Sequence, residues 1–126
     1  MKFEKATFPI CKSVSYTDEK TGKRERDVIA VMAEGYKFDY CNSDAEIVKL
    51  GIYHAAKSDA IASDLWYVVD LDCGMAVAMG KTRKAAYDSF VNGRASKWER
   101  FIASDSSKMK YLELRAMFAN AIERSF

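Results

Sequence analysis

Several groups of residues in the chain have types and spacings with chemical potential. Gly80-Lys81-Thr82 has the ending of a phosphate loop, in which backbone amides cradle phosphate and a lysine reaches it. That motif needs another glycine separated from Gly80 by four residues, and Met75 stands there. Met75 to Met79 is also strand-like, so nucleotide hydrolysis is not expected. What survives is a set of cations, Lys81, Arg83 and Lys84, at the start of a predicted helix. The macrodipole is already positive there, and each cation costs a few tenths of a kcal/mol. The three therefore mark a candidate anion-binding spot for a phosphate or a partner's carboxylates.

Asp70 and Asp72 put two carboxylates on one face at the end of a predicted strand. Such a pair can hold magnesium or do acid–base work, although the same residues are ordinary turn formers. A thiol nucleophile would pair His54 with Cys11, Cys41 or Cys73, but none of these cysteines opens a helix, where a thiolate is stabilised. No catalytic residue, metal site or cofactor is expected. Further basic residues follow at Arg94, Lys97, Arg100, Lys108, Lys110 and Arg115, interleaved with Trp98, Phe101 and Tyr111. That mixture marks nucleic-acid surfaces, and amphipathic helices with buried rings produce it too.

The elements that carry these residues follow from periodicity. Thr7 to Thr17 alternates as a half-buried strand, with Pro9 suiting an edge position. A polar loop, Asp18 to Glu25, leads into a second strand from Asp27 to Glu34, which Gly35 to Asn42 could prolong past a glycine bulge. Ser43-Asp44-Ala45-Glu46 has the pattern of a capping box, which predicts a helix to about Ala62 with Ile47, Leu50, His54 and Ile61 near one face. Leu65 to Leu71 is the strongest strand signal, returning through Asp72-Cys73-Gly74 as Met75 to Met79. With Leu65, Tyr67, Val69 and Leu71 toward the helices, Trp66 and Val68 would form an open apolar patch.

Thr82 predicts the cap of a helix from Arg83 to Asn92, closed by Gly93. A second box, Ser96 to Glu99, predicts a short helix, and Ser106 or Ser107 opens a last one with Met109, Leu112, Ala116 and Ala119 on its stripe. The expected fold is α+β: a four-stranded, mainly antiparallel sheet of two hairpins, order ββαββααα, with about four helices on one face and residues 1–126 as one domain.

The 126 residues are 49% apolar and 30% charged with one proline, a balance that excludes extended disorder, collagen-like repeats and a disulfide scaffold. Charge is uneven: residues 36–72 are acidic in excess, and residues 81–126 are basic in excess. Three dispersed cysteines and one histidine suit a reducing compartment and fall short of a zinc site. Met1-Lys2-Phe3-Glu4 lacks the apolar core of a signal peptide, so a cytoplasmic protein with no membrane association is expected.

These features point to a small non-enzymatic protein-binding regulator or inhibitor. A phage-type accessory protein, anti-defence or anti-CRISPR-like, acting on a host or defence protein or ribonucleoprotein complex, fits that description. Lys81, Arg83, Lys84, Arg94, Lys97, Arg100 and Trp66 are its expected partner-binding residues, and a homodimer through a sheet edge is compatible with it. The alternatives are a nucleic-acid-binding protein using the basic 81–115 segment, and a metal-dependent enzyme using Asp70 and Asp72.

Overall fold

The computed structural model describes residues 2–55 and 64–126. Five strands form one antiparallel sheet in chain order: β1 (Glu4–Thr17), β2 (Arg24–Cys41), β3 (Ile47–His54), β4 (Trp66–Asp70) and β5 (Ala76–Gly80). Helix α1 (Arg83–Ser89) runs through a π-turn at Phe90–Arg94 into α2 (Ala95–Ala103), and α3 (Asp105–Ser125) follows. The α+β class is as expected, but the strands all precede the helices and number five.

The extra strand replaces the predicted helix after Asn42. The Asn42 side chain accepts from the amides of Asp44 at 3.0 Å and Glu46 at 2.9 Å, and Ala45 takes a φ of 60°. The residues of the supposed capping box therefore form a turn. In β3, Leu50 and Ile52 meet the helices while Tyr53 meets the β1–β2 hairpin. A strand buried on both faces carries apolar residues at both parities, a pattern that periodicity alone cannot distinguish from a helix. The expected continuation of that helix through Ile61 lies outside the described residues.

The hairpin explains the double burial. Only Gly35–Cys41 of β2 pair with β3, whereas Arg24–Lys37 pair with β1. The distal part therefore reaches past the sheet and curls back over it. Ala6, Phe8, Ile10, Val31 and Ala33 pack there on Tyr53, Tyr67 and Val69. The Cys11 N–H closes the curl by donating to the Gly74 carbonyl at 2.9 Å. Gly35 permits the bend, since a Cβ there would overlap the Ile52 carbonyl oxygen. Pro9 lies in β1, an edge strand as expected.

The other sheet face packs Phe38, Leu50, Ile52, Val68 and Ala78 against Ala86, Phe90, Ala95 and Trp98 of the α1–α2 segment. This reverses the expected facing of β4: Trp66, Val68 and Asp70 point at the helices, and Tyr67 and Val69 point at the hairpin. Both sides of β4 are covered, so alternation marks neither as outer.

Thr82 caps α1 as predicted, its Oγ1 accepting from Ala85 N at 3.0 Å. Gly93 does not end the helix, and Ser96 to Glu99 do not restart it. Glu99 instead accepts from Ser43 N at 2.7 Å, Ser43 Oγ at 3.1 Å and Tyr40 OH at 3.2 Å, tying α2 to the β2–β3 turn.

Helix α3 packs Phe118 and Ala121 on Ala30, against the outer side of the hairpin, so the helices do not all share one face. Its expected stripe of Met109, Leu112, Ala116 and Ala119 faces outward. Among the described residues, no helix is long and apolar enough to cross a membrane.

Two glycines test this placement in opposite directions. Gly74 has a φ of +70°, and a Cβ on it would overlap the Phe118 ring; Gly93 has open space around it. Gly74→Ala should cost about 2–4 kcal/mol, from left-handed strain plus overpacking. Gly93→Ala should add about 0.5–1 kcal/mol through helix propensity. Urea denaturation followed by circular dichroism checks both, and equal midpoints would contradict the placement of the β4–β5 turn.

Candidate functional site

Asp70 ends β4 with a buried side chain, 2% exposed, the only buried charged residue type in the described core. Burying an acid is costly unless donors surround it. Three do so from three places. Trp98 Nε1–H of α2 donates to Oδ2 at 2.9 Å, Tyr111 O–H of α3 donates to the same oxygen at 2.6 Å, and the Asp72 amide donates to Oδ1 at 2.8 Å. The backbone repeats the tie: Asp70 N–H donates to the Met75 carbonyl at 3.1 Å, and Gly74 N–H donates to the Asp70 carbonyl at 2.7 Å. The Asp70 side chain therefore joins the β4–β5 turn to two helices.

Beside this tie a groove of about 290 Å³ opens between β5, α2 and α3. Met75, Trp98, Phe101 and Leu114 give it an apolar lining, and Arg94 and Lys97 stand at it from α2. Both cations are exposed, and among the described residues neither has a carboxylate within ion-pair distance. Strand β5 runs along the groove with β4 as its sole ladder partner in the sheet. Cys73 lines it too, its thiol pushed from 9.0 to about 12 by burial and then by the Asp70 charge, so it is no thiolate at neutral pH. Burial, then the bond to Asp70, raises the Tyr111 hydroxyl as well.

The remaining expected partner-binding residues lie elsewhere. The Arg83 guanidinium sits 4.7 Å from the Phe3 ring centre and 4.6 Å from that of Tyr36, on the β1–β2 side of α1. Lys81 and Lys84 are exposed near the helix start, while Arg100 turns its Nε–H back to the Ser96 carbonyl at 3.4 Å. The Lys108 side chain lies outside the described ones. The seven residues thus do not form one surface; Arg94 and Lys97 alone line the groove.

Trp66 is half-buried rather than an open anchor. Its ring stacks on His54 with centroids 5.0 Å apart and planes at 13°, beside a separate cavity of about 410 Å³ that Lys5, Glu34 and Tyr36 also line. His54 Nε2 lies 3.0 Å from Asp64 Oδ1. It sits at the end of β3 paired with Trp66, whereas Cys73 lies beyond the other end of β4. The intervening strand spans about 13 Å, so the two are not brought together. Asp72 is exposed while Asp70 is buried, so the expected pair does not share a face. Among the described residues no three His, Cys, Asp or Glu side chains gather as a metal site.

Sequence reasoning missed Phe101, Leu114 and Met75 as groove residues, because the groove forms where α2 and α3 meet beside β5, a nonlocal arrangement. The interleaving of Phe101 with Arg94, Lys97 and Arg100 was the available signal. No protein-family model matches the chain, and no curated protein or solved structure matches it.

The Asp70 tie makes two predictions. Asp70→Asn places an amide where an acceptor oxygen is needed and should cost about 1–3 kcal/mol; Asp70→Ala, which strands two buried donors, should cost about 3–5 kcal/mol. Urea midpoints read both, and unchanged midpoints would refute the tie. The second concerns pH. Well below pH 9 the Cys73 thiol is protonated in folded and unfolded chains, so it adds no slope there. Above pH 9, and up to about 12, the unfolded chain sheds the proton and the folded one keeps it. Stability should therefore fall as pH rises through that window, and Cys73→Ala should make the fall shallower.

Proposed function

We propose that the chain is a small non-enzymatic protein-binding regulator or inhibitor whose groove between β5, α2 and α3 receives a segment of a partner protein. The observation that carries this is the combination of an apolar lining with two cations, Arg94 and Lys97, that have no carboxylate partner among the described residues, beside the edge strand β5. Apolar area desolvated at the centre supplies affinity, and charges at the rim supply rate and selectivity. A 126-residue chain with such a groove fits a phage-type accessory protein that occludes a host or defence complex.

The nucleic-acid alternative asks for a continuous basic surface. Arg83 is held against the Phe3 and Tyr36 rings, whereas Arg94 and Lys97 line the groove without it. The metal-enzyme alternative asks a cation to displace the donors already bonded to Asp70. Both are less economical than docking at the groove.

Capture with tagged chain from nuclease-treated lysate tests the reading. A stoichiometric protein partner should be retained between about 50 and 200 mM salt, a range over which phosphate-driven binding falls steeply. Arg94→Glu combined with Lys97→Glu should reduce capture about tenfold or more, whereas Lys81→Glu with Lys84→Glu should leave it unchanged. Recovery of nucleic acid alone, or equal capture by the groove variant, overturns it.

A further inference from the structure

We infer that the groove's occupant is an extended acidic segment of a protein, which adds to the open edge of β5 as a sixth strand; this rests on the docking reading above. The sheet has two edge strands. β1 carries Pro9, which cannot donate to a ladder, and it already bonds across to the β4–β5 turn through Cys11. β5 carries neither, although it is five residues long and bulges at Val77 opposite Val68 and Val69. Its sequence, Ala-Val-Ala-Met-Gly, has no charge and no proline, two of the protections of an exposed edge. Its outer N–H and C=O groups are a template for another strand.

The walls specify the side chains of that strand. Arg94 and Lys97 are three residues apart in sequence, across the π-turn's end, so both heads address one stretch of the groove. Alternate side chains of a strand point to the same face, about 6.8 Å apart. Acids at alternate positions of the incoming segment would meet the two cations, flanked by Phe101 and Leu114. Its other side chains would lie on the opposite sheet face beside Met79, which is 55% exposed and paired with Tyr67. The preferred segment therefore alternates Asp or Glu with apolar residues.

A second copy of the chain is a poorer occupant. Antiparallel pairing of two β5 edges about a twofold axis would put both copies' Arg94 and Lys97 on the same side of the joined sheet, where like charges repel.

Panning a display library of random 12-residue peptides on the immobilised full chain tests the inference, with synthetic versions of the enriched peptides measured by fluorescence polarisation. Enriched peptides should alternate acidic and apolar residues, and Arg94→Glu with Lys97→Glu should weaken them about tenfold or more. N-methylating one set of alternate peptide amides should abolish binding, and methylating the other set should change it less than about twofold, because only one set faces β5. Peptides that lose affinity in the double variant but tolerate both methylation sets, or that lack acids, overturn strand addition while the docking reading stands. An empty selection, or peptides indifferent to the double variant, overturns both.

Discussion

One buried carboxyl group organises the end of the molecule where the candidate site lies. Asp70 receives an indole N–H from α2, a phenol O–H from α3 and a backbone amide from its own turn. Each donor would be costly to bury unpaired, and so would the acid. Satisfying all of them at once fixes where two helices stand relative to the β4–β5 turn. The same bonds aim the Trp98 and Tyr111 rings, which line the groove. Stability and site geometry are therefore set by the same contacts.

The rest of the fold determines which surfaces remain open. The long hairpin covers one face of the sheet with its own apolar residues, and the α1–α2 segment covers the other. The Cys11–Gly74 bond and the Phe118 ring against Gly74 bring β1 and α3 to the same turn that Asp70 braces. With both faces covered and the β1 edge partly closed, β5 is, among the described strands, the one left with an unused ladder side beside a cationic, apolar groove.

Much of this was legible in the residues. The first hairpin, its polar loop, the Pro9 edge, the β4–β5 return and the Thr82 cap all follow from local rules, and local forces do decide them. What was illegible has a common cause in nonlocal packing. Ile47 to His54 reads as helix because the returning hairpin buries its second face, and nothing in that segment announces the hairpin. Trp66 reads as outward for the same reason. Gly93 and Ser96 look like a helix stop and start, but Phe90, Ala95 and Trp98 gain more by staying packed on the sheet through the π-turn. The basic residues were visible as a group, yet only the fold separates Arg83, held against Phe3 and Tyr36, from Arg94 and Lys97 at the groove.

Hydrogen exchange on the free chain, read residue by residue by NMR, tests the central claim most directly. If Asp70 holds α2 in place while β5 keeps an open edge, the Trp98 indole N–H should be strongly protected, the β5 amides turned toward β4 should exchange slowly and those on its outer side fast. A rapidly exchanging Trp98 indole would mean that the tie does not hold the helix. Uniform protection along Ala76–Gly80 would mean that the edge is covered and the groove has no strand to offer.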